Sequence, residues 1–285
     1  MNTARTAVLL AAITGIFLAV GFLLGGTAGI IIALVFAGLL NFFAYWSSDK
    51  LALRMAGARE VSPEEAPGLH RTVEEVSELS GMPKPRVYIV ENETPNAFAT
   101  GRNPDHAAVA VTTGIMRLLD ERELRGVLGH ELGHVRNRDI LTSAIVATLA
   151  GAISMLAWMG MWFGGGLGGR GRDNAYGGII ALLVLILAPL AAAMIQMGIS
   201  RTREYQADRT GAEVTHDPEA LASALEKLER GVQARPLEPT PMAQSTAHLY
   251  IVNPFAGGGI GRLFSTHPPI EERVRRLRAM AYGTA

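Results

Sequence analysis

Four stretches of this chain are long, apolar and free of charge: Thr6 to Leu24, Ala28 to Trp46, Ile140 to Phe163 and Gly178 to Ser200. At about 1.5 Å of rise per residue, each can cross a hydrocarbon layer of roughly 30 Å as a helix. The bilayer core offers no water to backbone groups, and a helix satisfies its own. The sequence therefore predicts transmembrane helices over 6–24, 28–46, 140–163 and 178–200. A cleaved signal peptide behind Arg5 is the alternative for the first. The second run follows after only Gly25-Gly26-Thr27, which fits a membrane hairpin better. Pro189 is expected to kink the fourth helix rather than end it.

Four crossings leave both termini on one side. Arg5, Lys50, Arg54, Arg136, Arg138, Arg201 and Arg203 flank the spans there, against Arg170 and Arg172, offset by Asp173, in the glycine-rich loop opposite. The excess of positive charge places the termini and both soluble segments in the cytoplasm. The formal net charge is zero and no basic block occurs, which argues against a nucleic-acid partner. Cysteine is absent, so a metal would have to use His, Asp or Glu.

The organisation read from this is a transmembrane hairpin (1–46), a soluble segment (47–139), a transmembrane pair (140–200) and a second soluble segment (201–285). In the first soluble segment, Ser62-Pro63-Glu64-Glu65 predicts a capped helix start, with the helix ending near Ser80 and Gly81 closing it. Short strands are expected over Arg86 to Glu91, Asn96 to Thr100 and Ala107 to Thr112, with a turn at Asn103-Pro104-Asp105. Asp120-Glu121-Arg122-Glu123 opens another helix through a capping box. In the second segment, Asp217-Pro218 starts a helix to about Arg230. Residues 236–261 lack period and read as a mobile loop, a lid or a plain linker. The arginine-rich helix Ile270 to Met280 reads as a solvated packing face.

The helix opened at Asp120 carries His130-Glu131-Leu132-Gly133-His134. Histidines four apart share one helical face, so both imidazoles can meet one Zn²⁺, with Glu131 in reach of a water on it. This is the His-Glu-x-x-His pattern of zinc peptidases; two ordinary surface histidines are the bland alternative. A catalytic zinc needs a third protein ligand. A third histidine six residues on is ruled out, because Ile140 stands there. Glu204, just beyond the fourth span, is the best remaining candidate, since antiparallel neighbouring spans would bring its helix to His134. Asp208, one turn later, suits a carboxylate that orients a ligand imidazole. The alternative for Glu204 is a surface pair with Arg201 or Arg209.

The segments Gly129 to Asp139, Arg203 to Asp208 and Ser265-Thr266-His267-Pro268-Pro269, with Asn96-Ala97-Phe98-Ala99 and the four-span layout, resemble the HtpX-like membrane zinc metalloproteases, bacterial relatives of the CAAX prenyl endopeptidases. The resemblance implies an α-helical integral membrane protein of the bacterial inner membrane, carrying a cytoplasmic α+β zincin-like domain. It implies an endopeptidase for damaged membrane proteins, one zinc on His130, His134 and Glu204, and Glu131 as general base. His267 is the candidate donor to the oxyanion, or else packs at a helix start. Asn96, Ala97, Phe98, Ala99 and Thr100 form a candidate edge strand for an unfolded or membrane-protein substrate, or else an internal strand. Two rival functions remain: a prenyl-protein peptidase, for which four spans are few, and a catalytically idle scaffold, which has no use for Glu131.

Overall fold

The structure is a computed structural model that describes residues 2–137, 139–141, 145, 201–238, 249–255 and 268–283. Apart from residues 140, 141 and 145, the expected third and fourth spans, the glycine-rich loop between them and His267 lie outside the described residues.

The first helix, α1 (Asn2–Met55), is broken at Gly25 and Gly26, where Gly26 takes φ 58° and ψ −137°. Such angles are open to glycine at little cost. The two arms fold back on each other as the hairpin expected from the first two apolar runs. Asn41 Nδ2 donates to Thr14 Oγ1 at 2.9 Å, and the rings of Phe17 and Phe36 meet edge to face at 5.3 Å. A Cβ on Gly29 would lie 1.9 Å from the Gly21 carbonyl oxygen, so the crossing needs glycine. Among the described residues one segment, Gly25–Ser47, is long and apolar enough to cross a membrane, with mean hydropathy 2.2. Beyond it α1 continues into a domain of sheet and helices.

That domain holds a four-stranded sheet of β1 (Ala58–Glu60), β2 (Arg86–Val90), β3 (Ala97–Gly101) and β4 (Ala107–Thr112) in the order β1-β2-β4-β3. β2 and β4 run parallel; the outer pairs are antiparallel, with Ala97 opposite Val111 and Ala99 opposite Val109. Both faces of the sheet are covered. Tyr88, Val90, Phe98, Ala108 and Ala110 pack on Ala52 and Leu53 of α1. The alternate residues Val87, Ala97, Ala99, Val109 and Val111 join the main core. The period of two thus feeds two cores, which is why β4 is apolar almost throughout.

The main core is helical: α2 (Pro67–Leu79), α3 (Thr113–Leu118), α4 (Glu121–Arg136), α5 (Arg201–Thr215), α6 (Pro218–Ala234) and α7 (Ile270–Ala281). It mixes residues from before and after the 140–200 stretch, joining Val73, Leu128 and Leu132 to Leu221, Leu225 and Leu277. α4 sits in the middle, packed against α2, α5, α6 and β3.

Two local expectations are corrected. The turn at Ser62 forms, with Glu65 Oε2 accepting from the Ser62 N–H at 2.9 Å, but α2 starts only at Pro67. Pro67 brings no N–H to continue the ladder and holds Ala66 outside the helical region, at φ −138° and ψ 61°. The last helix is not simply a solvated face: Arg273 is completely buried.

Candidate metal centre

α4 exists as a helix because Asp120 caps it. The Asp120 carboxylate accepts from the Glu123 N–H, and the Glu123 carboxylate accepts from the Asp120 N–H. Leu124, Val127, Leu128, Leu132 and Val135 then turn an apolar face to the core. His130 and His134 fall together on the side facing α5.

What brings Glu204 to them is a backbone-to-backbone helix contact. A Cβ on Gly211 of α5 would lie 2.6 Å from the His130 nitrogen, and one on Gly129 would lie 3.2 Å from the Gly211 carbonyl oxygen. No larger residue fits at Gly211 without parting the helices. Gly211→Val is expected to destabilise the protein by about 3 kcal/mol, as overpacking does, and to lower bound zinc. Thermal unfolding in detergent and metal analysis read both; parental zinc content with normal stability would contradict this.

His130 Nε2 and His134 Nε2 lie 3.2 Å apart. Glu204 reaches them at 3.7 Å (Oε2 to His130 Nε2) and 3.6 Å (Oε1 to His134 Nε2). The three ligand atoms lie within 4.8 Å of one another. A tetrahedral zinc about 2.0–2.2 Å from each donor separates its donors by about 3.3–3.6 Å. The group fits that ion closely. The far nitrogens fit it too. His130 Nδ1 faces Asp208 Oδ1 at 2.9 Å, and His134 Nδ1 faces Asp139 Oδ2 at 3.1 Å. Carboxylates accept, so each Nδ1 donates its proton to one, which leaves Nε2 as the nitrogen of each ring that a metal would take. Two Nε2 atoms and a carboxylate converging there suit a metal cation.

The charge balance points the same way. Glu131, Glu204, Asp139 and Asp208 surround the two histidines, and the guanidinium of Arg273 stands against them. Burial opposes a charged His134, but Asp139, Glu204 and Glu131 outweigh it and push the ring up to about 10. Burial pushes His130 down. A divalent ion offsets this surplus of negative charge.

Glu131 is 5% exposed, and its Oε2 accepts from the Ala99 N–H at 2.8 Å. Burial raises its carboxyl to about 7, with the charge on His134 and the Ala99 hydrogen bond acting against the rise. Glu131 is thus tied to strand β3 on one side and adjoins His130 and His134 on the other. Together with Phe98, Ile140, Leu249, Tyr250 and Ile251, these residues line a cleft of ≈ 410 Å³ that opens to solvent.

The candidate strand residues divide. Asn96 precedes β3, and its backbone is engaged by Thr112: its carbonyl accepts from the Thr112 N–H, and its N–H donates to Thr112 Oγ1. Phe98 packs on α1. Ala97 and Ala99 turn their N–H and C=O away from β4, as alternation in an antiparallel pair requires. β3 is the edge of the sheet but is not exposed, since all five of its residues are buried.

Two residues were missed by the sequence reading. Asp139 orients His134 from the end of α4. Asp139→Ala is expected to weaken zinc binding about 10–100-fold, as loss of such partners does; competition with a chelating dye measures it, and parental affinity would remove Asp139 from the site. Arg273 donates through Nε and Nη2 to both oxygens of Asp208, at 2.8 and 2.7 Å, and through Nη1 to the Ile251 carbonyl at 3.1 Å. Burial alone would raise the Asp208 carboxyl; Arg273 and His130 hold it instead at about 2. The signal was present in sequence: Arg273 interrupts the apolar stripe Ile270-Val274-Leu277, and an arginine there needs a buried carboxylate.

The stretch read as loop, lid or linker is part of this assembly where it is described. Ile251, 2% exposed, donates its N–H to Asn96 Oδ1 at 3.1 Å while Arg273 holds its carbonyl. Residues 239–248 and 256–267 lie outside the described residues.

Comparison with known proteins agrees with this geometry. Residues 63–281 match Peptidase family M48. The chain is 56% identical over 283 residues to a protein of Persephonella marina named "Protease HtpX homolog", covering 99% of this chain and 98% of that one. A protein of the same name from Methylibium petroleiphilum is 56% identical over 280 residues, covering 98% of each chain. Among solved structures, S. mikatae Ste24p aligns with a TM-score of 0.52 at 18% identity. That alignment covers 96% of this chain but only 65% of Ste24p, so the likeness concerns the fold.

Proposed function

Because the chain belongs to peptidase family M48 and is a membrane zinc metalloprotease, we propose that it cleaves misfolded or damaged membrane proteins at the cytoplasmic face of the bacterial inner membrane. The observation that carries this is Glu131, buried beside the two histidines and hydrogen-bonded to the edge strand where a peptide would lie. His130, His134 and Glu204 would hold the zinc, which when bound supplies a Lewis acid and a water of lowered pKa.

The remaining work falls to the chain. Glu131 takes the proton from the attacking water and returns it to the leaving amine, which one carboxylate can do in turn. Asp208 and Asp139 keep both imidazoles in the tautomer that leaves Nε2 free. The outward N–H and C=O of Ala97 and the C=O of Ala99 hold an extended substrate by its backbone, so recognition favours unfolded segments over a sharp sequence motif. His267 is proposed as the donor to the developing oxyanion. The positive charge flanking the four apolar runs supports a cytoplasmic site.

The test uses the full chain in liposomes with zinc. Casein and an unfolded membrane protein should both be cut, the cutting should stop with a chelator, and zinc should restore it. Glu204→Ala should bind no stoichiometric zinc. Binding of clients without any cleavage would overturn the reading in favour of a scaffold.

A further inference from the structure

Strand β3 also reaches the membrane-spanning helix. The span in α1 ends at Ser47. Arg102, the residue after β3, sets its guanidinium carbon 4.8 Å from the ring centroid of Trp46. Trp46 is exposed together with Phe42, Phe43 and Tyr45, an aromatic girdle of the kind that sits at headgroup level. With the bilayer boundary set at this girdle, Arg102 lies at its surface. From there β3 runs away from the membrane alongside α1: Phe98 packs on Ala52 and Leu53, and Ala99 meets Glu131.

Two independent routes give the height of the site. Along α1, Trp46 to Leu53 rises about 10 Å. Along β3, Arg102 back to Ala99 spans about 10 Å. The strand is thus a straight track from the lipid surface to the base. The strand is buried, but it meets the cleft at Phe98 and Ala99, and among the described residues no backbone group bonds to the Ala97 N–H and C=O or to the Ala99 C=O.

We propose that β3 is a ruler: an extended juxtamembrane segment of a membrane protein pairs along it from the bilayer surface. The bond cut is then the one about three to five residues beyond the substrate's own transmembrane helix. This rests on the peptidase reading above and names the substrate class. Segments shorter than this cannot reach Glu131 without drawing helical backbone out of its hydrogen bonds within the bilayer, which is costly. Register along the strand is fixed, because a slip of one residue turns every side chain to the opposite face.

The experiment reconstitutes the full-length protease with zinc in liposomes, with a single-span substrate whose cytoplasmic tail is a uniform repeat. Spacers of different length are placed between the span and the repeat, and cut positions are read by mass spectrometry. Most cuts should fall about three to five residues from the span and keep that distance whatever the spacer. Cuts spread evenly along the repeat, or fixed to one sequence position regardless of the spacer, would overturn the ruler. Casein in parallel separates the two failures. Casein left intact sinks the peptidase reading, whereas casein cut with no distance rule sinks this inference alone. A second readout needs no turnover. In the Glu131→Gln protein, a photo-crosslinker one residue beyond the span should capture the segment around Arg102, and one four residues beyond should capture the region of Ala99. The reverse order, or no order, would also overturn it.

Discussion

Glu131→Gln should abolish peptide hydrolysis while zinc stays bound. Glutamine keeps the shape of the side chain, and its carbonyl oxygen can still accept from the Ala99 N–H. It cannot take a proton from water. General acid–base catalysis is worth about 10²–10⁴ in rate, and here one carboxylate serves both proton transfers, so the upper end is expected. The fold should not suffer. Burial raises the Glu131 carboxyl to about 7, which means the protein holds its charged form at a cost. A neutral amide removes that cost, so the variant should unfold at the same temperature or a higher one. Cleavage in liposomes, metal analysis and thermal unfolding make the three measurements. Turnover within tenfold of the parent would remove Glu131 as the base. Loss of zinc together with activity would mean that the residue serves the metal instead.

What could be read in the sequence, and what could not, follows the range of the interactions. Ala107 to Thr112 and the capping box at Asp120 were legible because each is specified within a few residues, and both formed as written. The histidine pair was legible for the same reason, since helical spacing alone puts the rings together. Glu204 lies far from it in sequence; it was found because the apolar runs imply two antiparallel spans whose ends meet. The short strand β1 was not foreseen. Ala58–Glu60 has no period of its own, and pairing with Tyr88 to Val90 is what makes it a strand. The tight contact of Gly211 with His130 was invisible for a related reason, since nothing local marks which helix a glycine will face. The Ser62 turn was misread through one competing local rule, the backbone demand of Pro67. Arg273 was hidden among neighbouring arginines that are solvated: Arg275 and Arg276 pair with Glu272 on the surface while Arg273 goes inward.

Arg273 also carries the largest expected effect on stability. Arg273→Met would leave Asp208, 4% exposed, with a buried charge and His130 as its remaining hydrogen-bond partner among the described residues. Breaking a buried pair from one side costs about 3–5 kcal/mol. It should also free the Ile251 carbonyl and loosen His130, weakening zinc binding about 10–100-fold. Arg273→Lys should not rescue the protein, because a single ammonium cannot make both bonds to Asp208 and reach Ile251 as the planar fork does. The informative comparison is the pair Arg273→Met with Asp208→Leu. Replacing both charges by apolar groups removes the unpaired carboxylate, so much of the lost stability should return. Zinc affinity should not return, because nothing then holds the His130 ring. Stability and zinc affinity recovering together would show that Arg273 and Asp208 are only structural. Recovery of stability alone places them in the metal site, as the partners that aim His130 at the ion.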